Sequence, residues 1–329
     1  MKFTFILCTR NSERVLKEVI ESIVFQKINN KSYEIIIADY ESTDQTIEIV
    51  KNILTRYSIK FNYIKCLQPG KTPALEIALN SARGDYSVIV DDDNVLENNF
   101  IEEAEKLLID TSWGCIGSQG IEDKNLFYPD WFKDYKEHYA IGFPLNAVDW
   151  VWGACCIINM TAWKKLKKKR FELQLNPIRI NHSKPINLGG EDTELSLAIY
   201  MLGYKVQFIE SLKFTHKFEQ KRLNQKYLLD NVFGVCRSIP VLEIYRLVIY
   251  NTNYFFPKTF WMFVLFKKLF GCFVRMIINI FSSEIFKAKY NYKIIVGIIS
   301  GFISFRKDFY VIFNRLIQIK KSISSLDHD

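Results

Sequence analysis

Two short apolar runs, each ending in acid, constrain this chain most: EIIIAD (Glu34–Asp39) and SVIVDDDN (Ser87–Asn94). They are apolar without alternation, the pattern of strands covered on both faces in a parallel α/β sheet. Helical periods fall between them. Val15, Leu16, Val19, Ile20, Ile23 and Val24 form one stripe of a helix over Glu13–Gln26, and similar signals cover Asp44–Tyr57 and Pro73–Ala82. KFTFIL (Lys2–Leu7) reads as the first strand and Phe61–Cys66 as another. Open sheets of this order bind ligands at the carboxyl ends of their strands, which is where both acidic ends fall.

Asp91, Asp92 and Asp93 would repel one another unless a cation, basic groups or solvent compensated them. Hard oxygen donors suit magnesium or manganese, which also coordinate substrate phosphates. Taken alone, the run reads first as a solvated acidic turn. A second cluster, Glu191-Asp192, opens a helix whose Leu195, Ile199 and Leu202 share a face and which stops at Gly203. The helix dipole favours ionised carboxylates there, as a general base requires. Simple capping is the plain alternative, but it gives no use to Gly189-Gly190, which would let backbone approach a ligand closely. The chain has no G-x-G-x-x-G and no G-x-x-x-x-G-K-[ST], so a dinucleotide oxidoreductase or P-loop kinase is disfavoured. Its seven cysteines include no C-x-x-C, and so suggest neither a zinc site nor a disulfide framework.

In order, CTRN-SER, EIIIADYESTDQT, PGKTPALEIALNSARGDYSVIVDDDN, WVWGA, GGEDTELSLAIYMLGYKV and THK resemble family 2 glycosyltransferases over roughly residues 1–217. The resemblance implies a GT-A fold, a Rossmann-like and mostly parallel sheet, and inverting transfer of a sugar from a nucleotide-diphosphate donor. It implies that Thr9, Asn11 and Glu13 lie near the base, that Asp39 grips it, and that Lys71 is near the base or phosphates. Asp91 and Asp93 match the family's D-x-D. The second meets a manganese or magnesium ion and the first lies nearer the ribose, with Asp92 a further candidate on the donor side. Asp192 matches the catalytic base, with Glu191 beside it in the acceptor site. His216 falls where many members place a histidine on the metal, and Trp150 and Trp152 fall near the acceptor. One departure stands out. The family's D-G-S-T-D is replaced by Tyr40-Glu41-Ser42-Thr43-Asp44, which hints at a different loop shape.

Aromatics from Phe127 to Trp152 suit both a sugar groove and an ordinary core. Trp150 and Trp152 sit in VDWVWGACCII, which reads as a strand. The basic run Lys164–Arg170 reads as a solvated helix face.

Charge divides the chain. Residues 213–329 hold 19 basic and 7 acidic side chains, about +12, whereas the whole chain is +8. The longest uncharged run there, Ile294–Phe305, is too short for the ~20 residues of a spanning helix. Basic residues mixed with Phe, Ile and Tyr predict helices lying on an anionic membrane surface, the alternative being a soluble helical extension packed on the catalytic domain. The expected organisation is a catalytic domain over 1–217, a connecting segment over 218–240, and a membrane-associated helical region over 241–329. The start does not read as a signal peptide, so the cytoplasmic face of a membrane is expected, with peripheral or monotopic attachment. Expected partners are a nucleotide sugar and a saccharide or lipid-linked acceptor, and no nucleic-acid motif is visible. Two other readings remain open. One is a catalytically silent sugar-nucleotide-binding scaffold, hinted at by Tyr40-Glu41. The other is a metal-dependent nucleotidyltransferase, which leaves Glu191-Asp192 unexplained.

Overall fold

Strand β1 (Phe3–Thr9) is buried along its whole length because helices cover both sides of the sheet around it. The computed structural model describes residues 2–27, 33–68, 70–144, 147–176, 188–251 and 255–324. Two compact units emerge: Met1–Lys168 with Gly203–Gln220, and Lys169–Leu202 with Lys221–Asp329.

The first unit runs α1 (Leu16–Val24), β2 (Tyr33–Asp39), α2 (Thr46–Arg56), β3 (Phe61–Lys65), α3 (Lys71–Ser81) and β4 (Tyr86–Asp91) after β1. It continues with β5 (Asn94–Leu96), α4 (Phe100–Leu107), β6 (Trp113–Glu122), β7 (Ile157–Asn159), α5 (Met160–Lys168) and β8 (Lys205–His216). The described strands form one sheet in the order β3-β2-β1-β4-β7-β6-β8-β5. From β3 to β4 all pairs are parallel. β7 runs antiparallel to β4 and β6, β6 pairs parallel with β8, and β5 pairs antiparallel with β8. The helical stripes read from sequence do the covering: α1 buries Leu16, Val19, Ile20 and Ile23, and α2 buries Val50, Ile53 and Leu54. Register then sets Thr9 opposite Asp39 and Cys8 opposite Asp91. The two acidic strand ends therefore share one edge of the sheet with β1 between them.

VDWVWGACCII departs from its expected strand. Only its last residues enter β7; Cys155 has a left-handed φ of +52°, which turns the chain out of extended geometry. Val151, Trp152, Ala154, Cys155 and Cys156 are buried because a loop packs there, while Val148 stays exposed. The basic run is a helix face as expected, with Lys164, Lys165 and Lys168 exposed at the end of α5.

The second unit holds α6 (Glu191–Met201), α7 (Gln225–Cys236), α8 (Ile239–Tyr250), α9 (Pro257–Phe281), α10 (Ile285–Phe305) and α11 (Phe309–Ser324). Helix α6, placed by sequence in the first domain, groups instead with these C-terminal helices. Glu194 is one reason. Its fully buried carboxylate accepts hydrogen bonds from the backbone N–H of Gln174 (2.7 Å) and Leu175 (2.9 Å) and from the Tyr245 hydroxyl (2.5 Å). These donors tie α6 to the segment before it and to α8, satisfying a charge that would otherwise be costly to bury. Helix α10 crosses the end of α7 closely: a Cβ at Gly301 would stand 2.1 Å from the Arg237 carbonyl oxygen, so only glycine fits. Among the described residues, no helix is long and apolar enough to cross a membrane.

Candidate active site

The three consecutive aspartates have three different sets of partners. Asp91, the last residue of β4, forms an ion pair with Lys71, the first residue of α3. Asp92 turns back to the β1–α1 loop, where it accepts hydrogen bonds from the Ser12 hydroxyl and the Arg10 N–H. Burial, with the Asp93 charge next and Asp91 adding to it, pushes the Asp92 pKa up, while the Ser12 and Thr9 hydroxyls pull it down. Asp93 Oδ1 lies 3.3 Å from His216 Nε2, and both side chains are 13% exposed.

The ladder between β5 and β8 makes that last contact. It pairs Asn94 with His216, and the Lys217 N–H donates to the Asp93 carbonyl at 2.7 Å. His216 Nδ1 meets the Tyr139 carbonyl at 2.7 Å; the carbonyl can only accept, so Nδ1 carries the proton. With Nδ1–H committed to that carbonyl, Nε2 is the atom turned toward Asp93, and it would meet a cation only after giving up its proton. Burial disfavours the imidazolium, but Asp93, the Tyr139 carbonyl and Asp91 outweigh it, so the His216 pKa is raised. Among the described residues no group of three or more His, Cys, Asp or Glu could hold a metal. A nitrogen and a carboxylate at hydrogen-bond separation still fit magnesium or manganese, which take few protein ligands and keep waters and phosphate oxygens.

The loops after β1 and β2 are laced together above the same edge. Asn11 Oδ1 accepts from the Thr43 N–H at 2.8 Å, and the Asn11 N–H donates to the Ser42 hydroxyl at 3.1 Å. Glu13 accepts from the Gln45 N–H at 3.1 Å. Asp39 is buried, with Oδ1 accepting from the Ser42 N–H (3.0 Å) and Oδ2 from the Tyr63 hydroxyl (3.1 Å). Glu41 has a φ of +70°, the left-handed backbone that a glycine would adopt at little cost. Thr9 is buried at the end of β1.

Glu191 and Asp192 occupy the first turn of α6, within the second unit. Asp192 Oδ1 accepts from the Thr193 N–H at 2.7 Å. The glycines before them have a reason other than ligand approach. Gly190 has a φ of +98°, and a Cβ there would lie 2.6 Å from the Ser238 hydroxyl; at Gly189 it would lie 2.9 Å from a Val235 methyl. The chain's own helices occupy that space. Trp152 is only 6% exposed, packs edge-on against Phe208 and donates its indole N–H to the Ser118 carbonyl at 2.9 Å. Trp150 also meets Phe208 edge-on but is only partly covered.

Ser12, Tyr63 and Tyr139 were not foreseen. Tyr63 sits in the short strand β3, and no spacing ties it to Asp39. Tyr139 acts through its backbone, which carries no residue-specific signal.

Comparison with known proteins follows from this geometry. The family model of Glycosyl transferase family 2 matches residues 4–166, and this stretch of the chain is a family 2 glycosyltransferase domain. TarS of Staphylococcus aureus (strain Mu50), a poly(ribitol-phosphate) beta-N-acetylglucosaminyltransferase, is 29% identical over 104 residues, 32% of this chain and 18% of TarS. Glycosyltransferase GlyA of Streptococcus pneumoniae serotype 4 is 26% identical over 233 residues, 68% of this chain and 32% of GlyA. The matches thus span less than a third of either relative. The S. aureus TarS 1-349 structure in complex with UDP-GlcNAc superposes with a TM-score of 0.51 at 14% identity, covering 93% of this chain and 92% of that one. The mannosyltransferase PcManGT from Pyrobaculum calidifontis, in complex with GDP-Man and Mn2+, gives a TM-score of 0.54 at 15% identity, covering 98% and 84%. These likenesses show the fold, which is GT-A.

Proposed function

We propose that this chain is an inverting glycosyltransferase of hexosyl type. It moves a sugar from a nucleotide-diphosphate donor to a hydroxyl of a saccharide or lipid-linked acceptor in surface-polysaccharide assembly. The observation that carries the reading is the sheet edge where Lys71–Asp91 and Asp93–His216 come together, with Lys71, Asp91 and Asp93 inside the family 2 match. Asp93 and His216, with Asp91 adjacent, would hold a divalent cation, manganese or magnesium. When bound, such an ion supplies positive charge to a departing diphosphate. Lys71 adds a second positive charge on the phosphate side. Thr9, Asn11, Glu13 and Asp39 receive the nucleoside, and Asp92 holds the loop that carries Asn11 and Glu13. Asp192 takes the proton of the acceptor hydroxyl, Glu191 orients that hydroxyl, and Trp150 offers a ring face to the acceptor sugar.

Two names among the similar proteins support the substrate class: a poly(ribitol-phosphate) glycosyltransferase, and a structure with UDP-GlcNAc bound. The Mn2+ of PcManGT supports the cation. We place the enzyme at the cytoplasmic face of a membrane, attached peripherally. The test is release of nucleoside diphosphate from a panel of nucleotide sugars with manganese, magnesium or chelator. One donor should be consumed, and chelation should stop it. Turnover of no donor, with no nucleotide binding, would overturn the reading.

A further inference from the structure

We infer that the outer face of α9 is the surface that embeds in an anionic phospholipid membrane, which rests on the peripheral attachment proposed above and names its element. Helix α9 has two apolar faces. The inner one buries Trp261, Leu265 and Cys272, and the Trp261 indole N–H donates to the Pro240 carbonyl at 2.8 Å. On the outer one Phe263, Phe266, Phe270 and Phe273 recur at i, i+3, i+7 and i+10, a single stripe of an α-helix. Phe266 is 62% exposed, Phe270 59% and, at the end of the helix, Phe281 86%. A contiguous exposed apolar surface of this kind marks an interaction site.

Charge selects the occupant. Helix α9 carries Lys258, Lys267, Lys268 and Arg275 and no acid, and α10, packed along it, carries Lys287, Lys289 and Lys293 and no acid. Lys268 is engaged by Glu243 at 3.3 Å, Lys287 by Glu284 at 2.6 Å and Lys293 by Asp230 at 3.4 Å, whereas Lys267 lies over the Phe263 ring on the outer face. A second copy docking through the same face would set Lys267 against Lys267 with no acid on either α9. Phosphate headgroups complement them, and the phenylalanines reach the acyl boundary beneath. In this proposal α9 lies in the plane of the surface with its phenylalanine stripe toward the acyl chains.

The test is flotation of the full chain with vesicles of phosphatidylcholine alone and with phosphatidylglycerol added. Wild-type protein should float with the anionic vesicles, less at high salt but not wholly released, because buried rings are insensitive to screening. Phe266→Ser/Phe270→Ser should lower the partition coefficient at least ~10-fold, with unchanged circular dichroism and unchanged donor hydrolysis in solution. Lys267→Glu should lower binding to the anionic vesicles alone. Absence of binding to either vesicle, or equal binding by the double variant, would overturn the inference. So would loss of self-association, rather than vesicle binding, on ultracentrifugation of that variant. Donor hydrolysis is read separately, so failure here is distinct from failure of the glycosyltransferase assignment.

Discussion

Nε2 of His216 faces Oδ1 of Asp93 at 3.3 Å because β5 and β8 pair Asn94 with His216. Strand β5 begins immediately after the aspartates, so the ladder that ends the acidic run also delivers the histidine to it. The Tyr139 carbonyl then holds Nδ1–H and turns Nε2 toward Asp93. Asp93, Tyr139 and His216 thus come together from three separate segments.

The metal assignment predicts that Asp93→Asn weakens manganese-dependent nucleotide binding by more than ~10-fold and removes donor turnover. His216→Ala should lower metal affinity in the same direction. Calorimetric titration of manganese with nucleotide present measures both. Wild-type affinity in a folded Asp93→Asn protein would move the cation elsewhere.

Asp192→Asn should leave donor and metal binding intact and slow transfer by about 10²–10⁴-fold, the usual worth of a general base. Steady-state transfer at saturating acceptor, beside nucleotide binding, checks this. A drop in nucleotide affinity instead would assign Asp192 to the donor.

Buried Glu194 accepts three hydrogen bonds through one carboxylate, so Glu194→Gln turns an amide N–H toward donors. A loss of about 2–4 kcal/mol in unfolding free energy is expected. Tyr245→Phe removes one of those bonds and should cost about 1.5–3 kcal/mol. Denaturant titration of both variants tests the ordering; equal stability would mean that Glu194 does not anchor α6.

Glu41 holds a φ of +70°. The left-handed conformation costs a side-chain-bearing residue about 1–2 kcal/mol, and glycine's extra chain entropy returns about 0.5–1 kcal/mol of that. Glu41→Gly should therefore raise stability by a few tenths to about 1 kcal/mol, read as a higher melting temperature. A lower one would mean that the Glu41 side chain stabilises the loop by more than the strain it causes.

Much of the first unit was legible in the residues. Unbroken apolar runs force strands that are covered on both faces, and the stripes in α1 and α2 are the covers. VDWVWGACCII misled because burial in a loop and burial in a strand leave the same apolar pattern; the left-handed Cys155 decides between them and leaves no compositional trace. Gly189-Gly190 misled for a related reason. A glycine records that something approaches closely, but not whether that is a ligand or, as here, Val235 and Ser238.

The sequence by itself determined the strands and helices from β1 to β4 and the start of α6, that two acidic strand ends share the carboxyl edge of a sheet, and that a family 2 pattern runs through them. Those follow from local periodicity and from the rule that parallel strands align their ends. Tertiary structure alone decided the pairing of partners: Lys71 with Asp91, Ser12 with Asp92, His216 with Asp93, Tyr63 with Asp39, and Glu194 with Tyr245. Each pairing joins residues that only sheet register or helix packing brings within hydrogen-bond distance. A charge buried there must find a partner in space, and residue spacing along one chain does not name it.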